Sequence, residues 1–256
     1  GEIGTIAVCG TVNDLAVSGA RPLYLTLSLI IEDGMPISEL SAIIESVRDT
    51  AIAADVKIVA GDTKVVGKGE ADRLFINTAG VGVIERAPVS IKNVRPGQKI
   101  ILSGFIGNHS IHLLSLREGL GFERNILSDC APLNAMIHQL IDAVPAGKIA
   151  SMRDVTRGGL SAVLHEHARA AKHEMRCERQ SLPIQPETAM AANMLGVDVI
   201  NLANEGCLCL FVEPDSAEDV LRLLKTHPLG QKAAIIGEVL ATPEVRVSML
   251  EQDGTV

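Results

Sequence analysis

Three aspartates of the 256-residue sequence stand in surroundings that favour ligand binding. Asp14 lies among apolar and very small residues of a predicted helix, where an unpaired charge is costly. Asp62 follows a short apolar segment in Gly61-Asp-Thr-Lys64, and Asp154 follows another in Arg153-Asp-Val-Thr-Arg-Gly-Gly159. If the three carboxylates converge, they can hold magnesium against the oxygens of a triphosphate.

The segment after Asp154 has further features of an anion site. Thr156 and Arg157 precede Gly158-Gly159, and glycines that open a helix leave backbone N–H groups free to bind a negative group. The segment matches neither the P-loop nor the dinucleotide fingerprint.

A fourth carboxylate, Glu205, lies in the turn Asn204-Glu-Gly206 between apolar segments. This setting suits a general base with a raised pKa, although a turn residue bonded to the backbone explains it equally well.

Each aspartate also has a structural interpretation. Asp14 could form a salt bridge, Asp62 could close an Asx turn, and Asp154 could cap the following helix.

Histidine spacing does not predict a metal centre. His109 and His112 are three residues apart, and His165 and His167 flank Glu166. Neither pair matches H-E-x-x-H, so we do not expect zinc binding.

Composition narrows the possible functions. With 23 basic and 31 acidic residues the net charge is −8, and aromatic residues make up only 2%, so we expect no nucleic-acid partner. No apolar stretch reaches the length of a membrane helix, so we expect no membrane partner.

The chain has five cysteines without a C-x-x-C pair, which indicates a reducing compartment. Cys207 and Cys209 alternate along a predicted strand, which indicates a packing role for both side chains.

Hydrophobic periodicity predicts an α/β (α+β) fold in which helices cover sheets. In the first half we expect a helix over 3–20, strands over 23–31, 56–60 and 73–84, and a helix capped by Ser38. In the second half we expect strands over 98–103, 148–152, 207–213, 233–239 and 244–249, and helices over 108–118, 131–143, 157–172, 187–195 and 216–226. Proline and glycine near 85–97 predict an N-terminal domain over 1–87 and a C-terminal domain over 88–256.

Five segments, in order and over nearly the whole chain, resemble the HypE family, the carbamoyl dehydratases of [NiFe]-hydrogenase maturation. They are Cys9–Ala20, Gly61–Val66, Phe75–Gly80, Asp154–Gly159 and Asn204–Gly206. HypE proteins form a superfamily with aminoimidazole ribonucleotide synthetase, selenophosphate synthetase and thiamine-monophosphate kinase, and bind ATP without a P-loop. The resemblance implies a two-domain, synthetase-like fold. Its N-terminal strands would form a barrel across a homodimer, and ATP would lie between the domains.

By motif match, the resemblance also implies residue roles. Lys64 would stabilise phosphate and Glu205 would transfer a proton. The implied Mg²⁺ ligands are Asp14, Asp62 and Asp154, and the implied ATP neighbours are Asn13, Thr63, Thr156, Arg157 and Asn204.

The implied reaction is ATP-dependent dehydration of an S-carbamoyl group on a C-terminal cysteine. The product is a thiocyanate, which supplies cyanide to the hydrogenase iron. The implied partners are the carbamoyltransferase HypF and the HypC–HypD complex, in the cytoplasm.

The sequence departs from the HypE pattern in three places. It ends at Glu251–Val256 without the Pro-Arg-Ile-Cys tail, and it lacks the glycine-rich N-terminal segment. We therefore expect a core that binds nucleotide without turnover on its own. Asn108, in Gly107-Asn-His-Ser110, stands where HypE chains commonly have aspartate, so we assign that loop no catalytic role.

Two alternative functions remain at this point. A superfamily relative could be a small-molecule kinase or synthetase that consumes ATP with a diffusible substrate. A catalytically silent dimeric scaffold would only bind maturation partners, and substitution of Asp14 or Asp62 would leave it unaffected.

Overall fold

Two separate β-sheets, one from each half of the sequence, organise the chain. The computed structural model describes residues 2–86 and 89–255, so the predicted domain boundary at 87/88 lies outside the described residues. The first half contains α1 (Glu2–Val17), β1 (Ala20–Glu32), α2 (Ile37–Ala53), β2 (Lys57–Val66) and β3 (Leu74–Ile84). The second half contains β4 (Lys99–Leu102), α3 (Asn108–Glu118), α4 (Asn134–Ala143), β5 (Ile149–Asp154), α5 (Gly159–Ala171), β6 (Glu174–Glu178), α6 (Pro186–Leu195), β7 (Leu208–Val212), α7 (Ala217–Thr226), β8 (Ala234–Leu240) and β9 (Val247–Leu250).

The N-terminal sheet has the strand order β2-β1-β3 and is covered on one face only. Val8 and Val12 of α1 and Val47 of α2 pack with Leu25 of β1 on the covered face. Because side chains alternate along a strand, the other face of β1 and β3 points away from these helices. Apolar side chains on this open face are solvent-exposed, namely Tyr24, Ile30, Phe75, Val81 and Val83.

The C-terminal sheet has the order β5-β7-β4-β8-β6-β9 and is covered on both faces. Strand β7 is wholly buried, and alternate residues enter two different cores. Cys209 and Phe211 pack in the core that includes residues of α3 and α5. Leu210 packs in the core that includes residues of α4 and α7, together with Ala16 at the end of α1. Helix α1 therefore connects the two halves of the chain.

The predicted α/β fold is confirmed, and the predicted helix 108–118 coincides with α3. None of the described helices has the length and apolar character required to cross a bilayer.

Two local predictions are wrong, and one strand was not predicted. The segment 56–60 is not a buried strand ending in a turn, because β2 runs on through Gly61–Lys64 as an exposed edge strand. Helix α2 begins at Ile37, so Ser38 lies inside its first turn and the residue before the helix is Pro36. Strand β6 was not predicted, because its charged residues hide the alternation.

Glu174 is the buried charge on which the far edge of the C-terminal sheet depends. Its carboxylate accepts hydrogen bonds from Ser248 (2.5 Å), Arg176 (3.1 Å) and Arg246 (3.0 Å). We predict that Glu174→Ala lowers the free energy of unfolding by about 3 kcal/mol, because it leaves two arginines without their carboxylate. Urea unfolding at neutral pH measures the change.

The matched control is Glu238→Ala, which removes a surface ion pair with Lys99 at 2.7 Å. Exposed pairs contribute little, so we expect a loss below about 1 kcal/mol. Equal losses in the two variants would contradict the role given to Glu174.

Candidate functional site

Asp14 and Asp154, two of the three predicted aspartates, meet at Arg153. Asp154 ends β5 and is 4% exposed, whereas the Asp14 side chain, near the end of α1, is 69% exposed. Arg153 Nη1 lies 3.6 Å from Asp14 Oδ1 and forms a closer ion pair with Asp154. Its Nε lies 3.8 Å from Glu166. The Asp14 carboxylate is therefore not an unpaired charge among apolar residues, because this side of α1 faces solvent and Arg153 lies close to it.

Negative charge accumulates around Asp14. Partial burial raises its pKa, and the Asp154 carboxylate raises it further, whereas Arg153 and Arg157 act in the opposite direction. Bringing a cation to this position would relieve the repulsion between the two carboxylates.

The start of α5 provides a complementary anion site next to these carboxylates. Gly158 and Gly159 have positive φ values of 75° and 61°. A Cβ at Gly159 would lie 2.5 Å from the carbonyl oxygen of Ile200, so the helix start requires glycine there. No side chain caps this helix, and Arg157 beside it is exposed. Gly159 N donates to the carbonyl oxygen of Thr156 at 2.9 Å, whereas the next N–H groups of the first turn, together with the helix dipole, favour a negative ligand.

Asn13, one residue before Asp14, is buried, and both ends of its side-chain amide form hydrogen bonds within the protein. Its Nδ2 donates to the carbonyl oxygens of Ala131 (3.1 Å) and Glu205 (3.3 Å), and its Oδ1 accepts from Leu133 N (2.7 Å). Asn13 therefore attaches α1 to the second half of the chain.

Asn204 is buried in a similar way. Its Oδ1 accepts from Gly107 N at 2.7 Å, and its Nδ2 donates to the carbonyl oxygens of Val155 (2.9 Å) and Leu202 (3.1 Å). These contacts give Asn204 a positioning role, because the side chain holds three loops together.

Glu205 lies on the same side of the molecule as Asp14 and Asp154. Burial raises the pKa of its carboxyl to about 7, and the negative charges of Asp129, Asp154 and Asp14 contribute in that order. A carboxyl group with such a pKa can take up and release a proton near neutral pH.

Asp129 is a further carboxylate near this group, and no local sequence motif marks it. It accepts hydrogen bonds from the backbone N–H groups of Glu205 and Gly206, each at 3.1 Å. Burial raises its pKa to about 6, although these two bonds lower it.

Asp62, Thr63 and Lys64 lie apart from this group, within the exposed strand β2. Asp62 pairs with Ser28 and Lys64 with Ile30, and both pairs point to the open face of the N-terminal sheet, opposite α1. The carboxylate of Asp62 accepts from the neighbouring Thr63 N at 2.8 Å. Across residues 2–86 and 89–255, no three His, Cys, Asp or Glu side chains are close enough together to hold a metal ion.

The remaining polar candidates have structural partners. Asn108 donates to Gln185 (3.0 Å) and accepts from Thr188 (2.6 Å) at the start of α3. His167 is buried, stacks on Phe211 and hydrogen-bonds Ser151, and burial lowers its pKa to about 4. These contacts are those of a neutral core histidine, not of a zinc ligand.

Comparison with known families defines the class of the protein. Residues 1–84 match the N-terminal domain of AIR synthase related proteins, and residues 95–249 match the C-terminal domain of the same class. The chain is therefore an AIR synthase related protein, in agreement with its fold.

Individual relatives narrow this class. The chain is 45% identical over 254 residues to the carbamoyl dehydratase HypE of Escherichia coli K12, covering 98% of this chain and 74% of that protein. It superposes on HypE in a solved HypE–HypF complex with a TM-score of 0.95 and 44% identity, covering 100% of this chain and 83% of the other. A HypE solved in complex with ATP gives a TM-score of 0.93 at 38% identity, covering 98% and 77%. The chain belongs to the HypE family.

The raised pKa of Glu205 predicts a particular pH dependence of stability. Because the folded protein binds this proton more tightly than the unfolded chain, stability is greatest at low pH and falls as pH rises from about 4.5 to about 7. Between these two pH values, we expect the free energy of unfolding of wild type to fall by on the order of 2 kcal/mol more than that of Glu205→Gln. Urea unfolding at a series of pH values measures the difference.

Glu187→Gln, an exposed position on α6, is the control and should follow the wild-type curve. Parallel curves for wild type and Glu205→Gln would mean that Glu205 has an ordinary pKa.

Proposed function

We propose that this chain is the nucleotide-binding core of a carbamoyl dehydratase that acts in [NiFe]-hydrogenase maturation. ATP would activate an S-carbamoyl group carried on a C-terminal cysteine, and dehydration would yield a thiocyanate. The observation that carries the proposal is the grouping of Asp14 and Asp154 with Arg153, beside the uncapped start of α5 and the high-pKa Glu205.

The ATP triphosphate would lie against the start of α5. Backbone N–H groups there, with Arg157 and Thr156, offer donors and positive charge to phosphate oxygens. The solved complex of a HypE with ATP supports nucleotide binding by this family.

The oxygen ligands present fit Mg²⁺ in part. Asp14 and Asp154 supply carboxylates, but Arg153 lies between them, and Asp62 is on another face. When bound, Mg²⁺ would neutralise the phosphate charge during phosphoryl transfer. Arg153 would have to give up its contact with Asp14 to admit the ion.

Glu205 would act as the general base. The γ-phosphoryl group moves to the carbamoyl oxygen, and the C–O bond to phosphate then breaks as the carbamoyl nitrogen loses its two protons, leaving S–C≡N, ADP and phosphate. A carboxylate with a pKa of about 7 can accept one of these protons at neutral pH.

A homodimer would give Asp62 and Lys64 access to a ligand. Both lie on the open face of the N-terminal sheet, together with Phe75 and Val81, whose relative exposures are 51% and 64%. An apolar face of this kind is typical of an interface, and a second copy would cover it. Lys64 could then stabilise phosphate from across the interface.

The implied partners follow from the family. The solved HypE–HypF complex supports HypF, the carbamoyltransferase, as the donor of the carbamoyl group. The HypC–HypD complex would receive the cyanide, and a cytoplasmic location agrees with free cysteines at all five positions.

We predict that Asp14→Asn weakens Mg-ATP binding at least tenfold, or about 1.4 kcal/mol, because it removes one of the two aspartate carboxylates at Arg153. Isothermal titration calorimetry with Mg-ATP, repeated with ATP and EDTA, measures the affinity and its dependence on magnesium. Asp14 is exposed, so the substitution should leave folding intact.

The matched control is Asp142→Asn, an exposed aspartate that lies 3.9 Å from Arg86. It should bind Mg-ATP like wild type. Unchanged affinity in Asp14→Asn would refute the ligand assignment, and no binding by wild type would favour the scaffold function.

We also predict that Val81→Lys converts a dimer into a monomer, because a charge on the open face would be buried at the interface. Sedimentation equilibrium measures the mass. Ile37→Lys, at an exposed position of α2, should remain dimeric. A monomeric wild type would contradict the homodimer.

A further inference from the structure

Asp129 binds the backbone of Glu205 and Gly206 with both of its carboxylate oxygens. Its Oδ1 accepts from Glu205 N and its Oδ2 from Gly206 N, both at 3.1 Å. The two carboxylate oxygens thus bind two consecutive peptide groups, and an asparagine offers only one acceptor oxygen for this purpose.

The backbone around Glu205 is held from the opposite side as well. The Glu205 carbonyl accepts from Asn13 Nδ2 at 3.3 Å and from Ala131 N at 3.4 Å. A Cβ at Gly206 would lie only 1.7 Å from the carbonyl oxygen of Asp129, so the two segments touch directly. Both the N–H and the C=O of Glu205 are therefore fixed, while its carboxyl is left for the site.

We propose that Asp129 is a positioning residue, which fixes the peptide of Glu205 so that its carboxyl group faces Asp14 and Asp154. This inference rests on the proposed function, in which Glu205 is the general base. Asp129 does not contact the reacting atoms and acts only through Glu205.

The charge of Asp129 has a second effect. Its negative charge is the largest electrostatic contribution to the raised pKa of Glu205 after burial, ahead of Asp154 and Asp14. The Cys130 thiol also faces Glu205, but its pKa is raised by its hydrogen bond with Cys9, so it remains neutral. From α3, His109 hydrogen-bonds Ser128, the residue before Asp129. Removing the charge of Asp129 should therefore lower the pKa of Glu205.

The test is carbon-13 NMR of carboxyl-labelled glutamate, in which Glu205→Gln identifies the Glu205 signal. We expect the Glu205 midpoint to fall by about one pH unit in Asp129→Asn, as for removal of a nearby like charge. Asp142→Asn, at the exposed C-terminal end of α4 and near Arg86, should leave the midpoint unchanged. An unchanged midpoint in a folded Asp129→Asn would overturn the proposal, since a merely structural residue would not move it.

Wild type supplies a second measurement if Asp129→Asn fails to fold. As Asp129 gains a proton near pH 6, its charge-assisted hydrogen bonds weaken, so the amide proton signals of Glu205 and Gly206 should shift together. Amide signals that move independently would overturn the proposal. Mg-ATP calorimetry on wild type tests the proposed function separately, because the NMR midpoints do not depend on nucleotide.

Discussion

The structure depends on the attachment of α1 to the second half of the chain, to which Ala16 contributes core packing and the Asn13 amide contributes hydrogen bonds to the loops. Asn13 is buried and uses both ends of its amide, toward Ala131, Leu133 and Glu205. A buried amide without these partners would be costly, so the contact fixes one position of the helix. That position brings Asp14, on an N-terminal helix, to Asp154, at the end of a C-terminal strand.

The same attachment creates a site with excess negative charge. Asp14, Asp129, Asp154 and Glu205 come from four separate parts of the chain, and burial together with mutual repulsion raises the pKa of Glu205. Proteins tolerate such an arrangement where charge or protons are exchanged, since it costs stability at neutral pH. A cation between the carboxylates would reduce their mutual repulsion, and so would a proton on Glu205.

Much of the fold could be predicted from the sequence, because alternation and helical periodicity are local. The ligand-binding character of segment 154–159 could also be predicted locally, because an aspartate is followed there by two glycines that open a helix. Asp129 could not be found in this way, because its role arises from contact with residues 76 positions away in the chain. The burial of strand β2 was predicted wrongly for another reason. The sequence of an apolar edge strand does not distinguish a strand that its own chain covers from one that a second copy would cover.

The central claim is that nucleotide binds where α1, β5 and α5 meet. Amide chemical-shift mapping with Mg²⁺ and a non-hydrolysable ATP analogue tests it most directly. The account predicts the largest shifts at Asp14, Arg157 and Gly158, with little change around α6. Shifts confined to the cavity between α6 and the segment Gly196–Val199 would contradict the account.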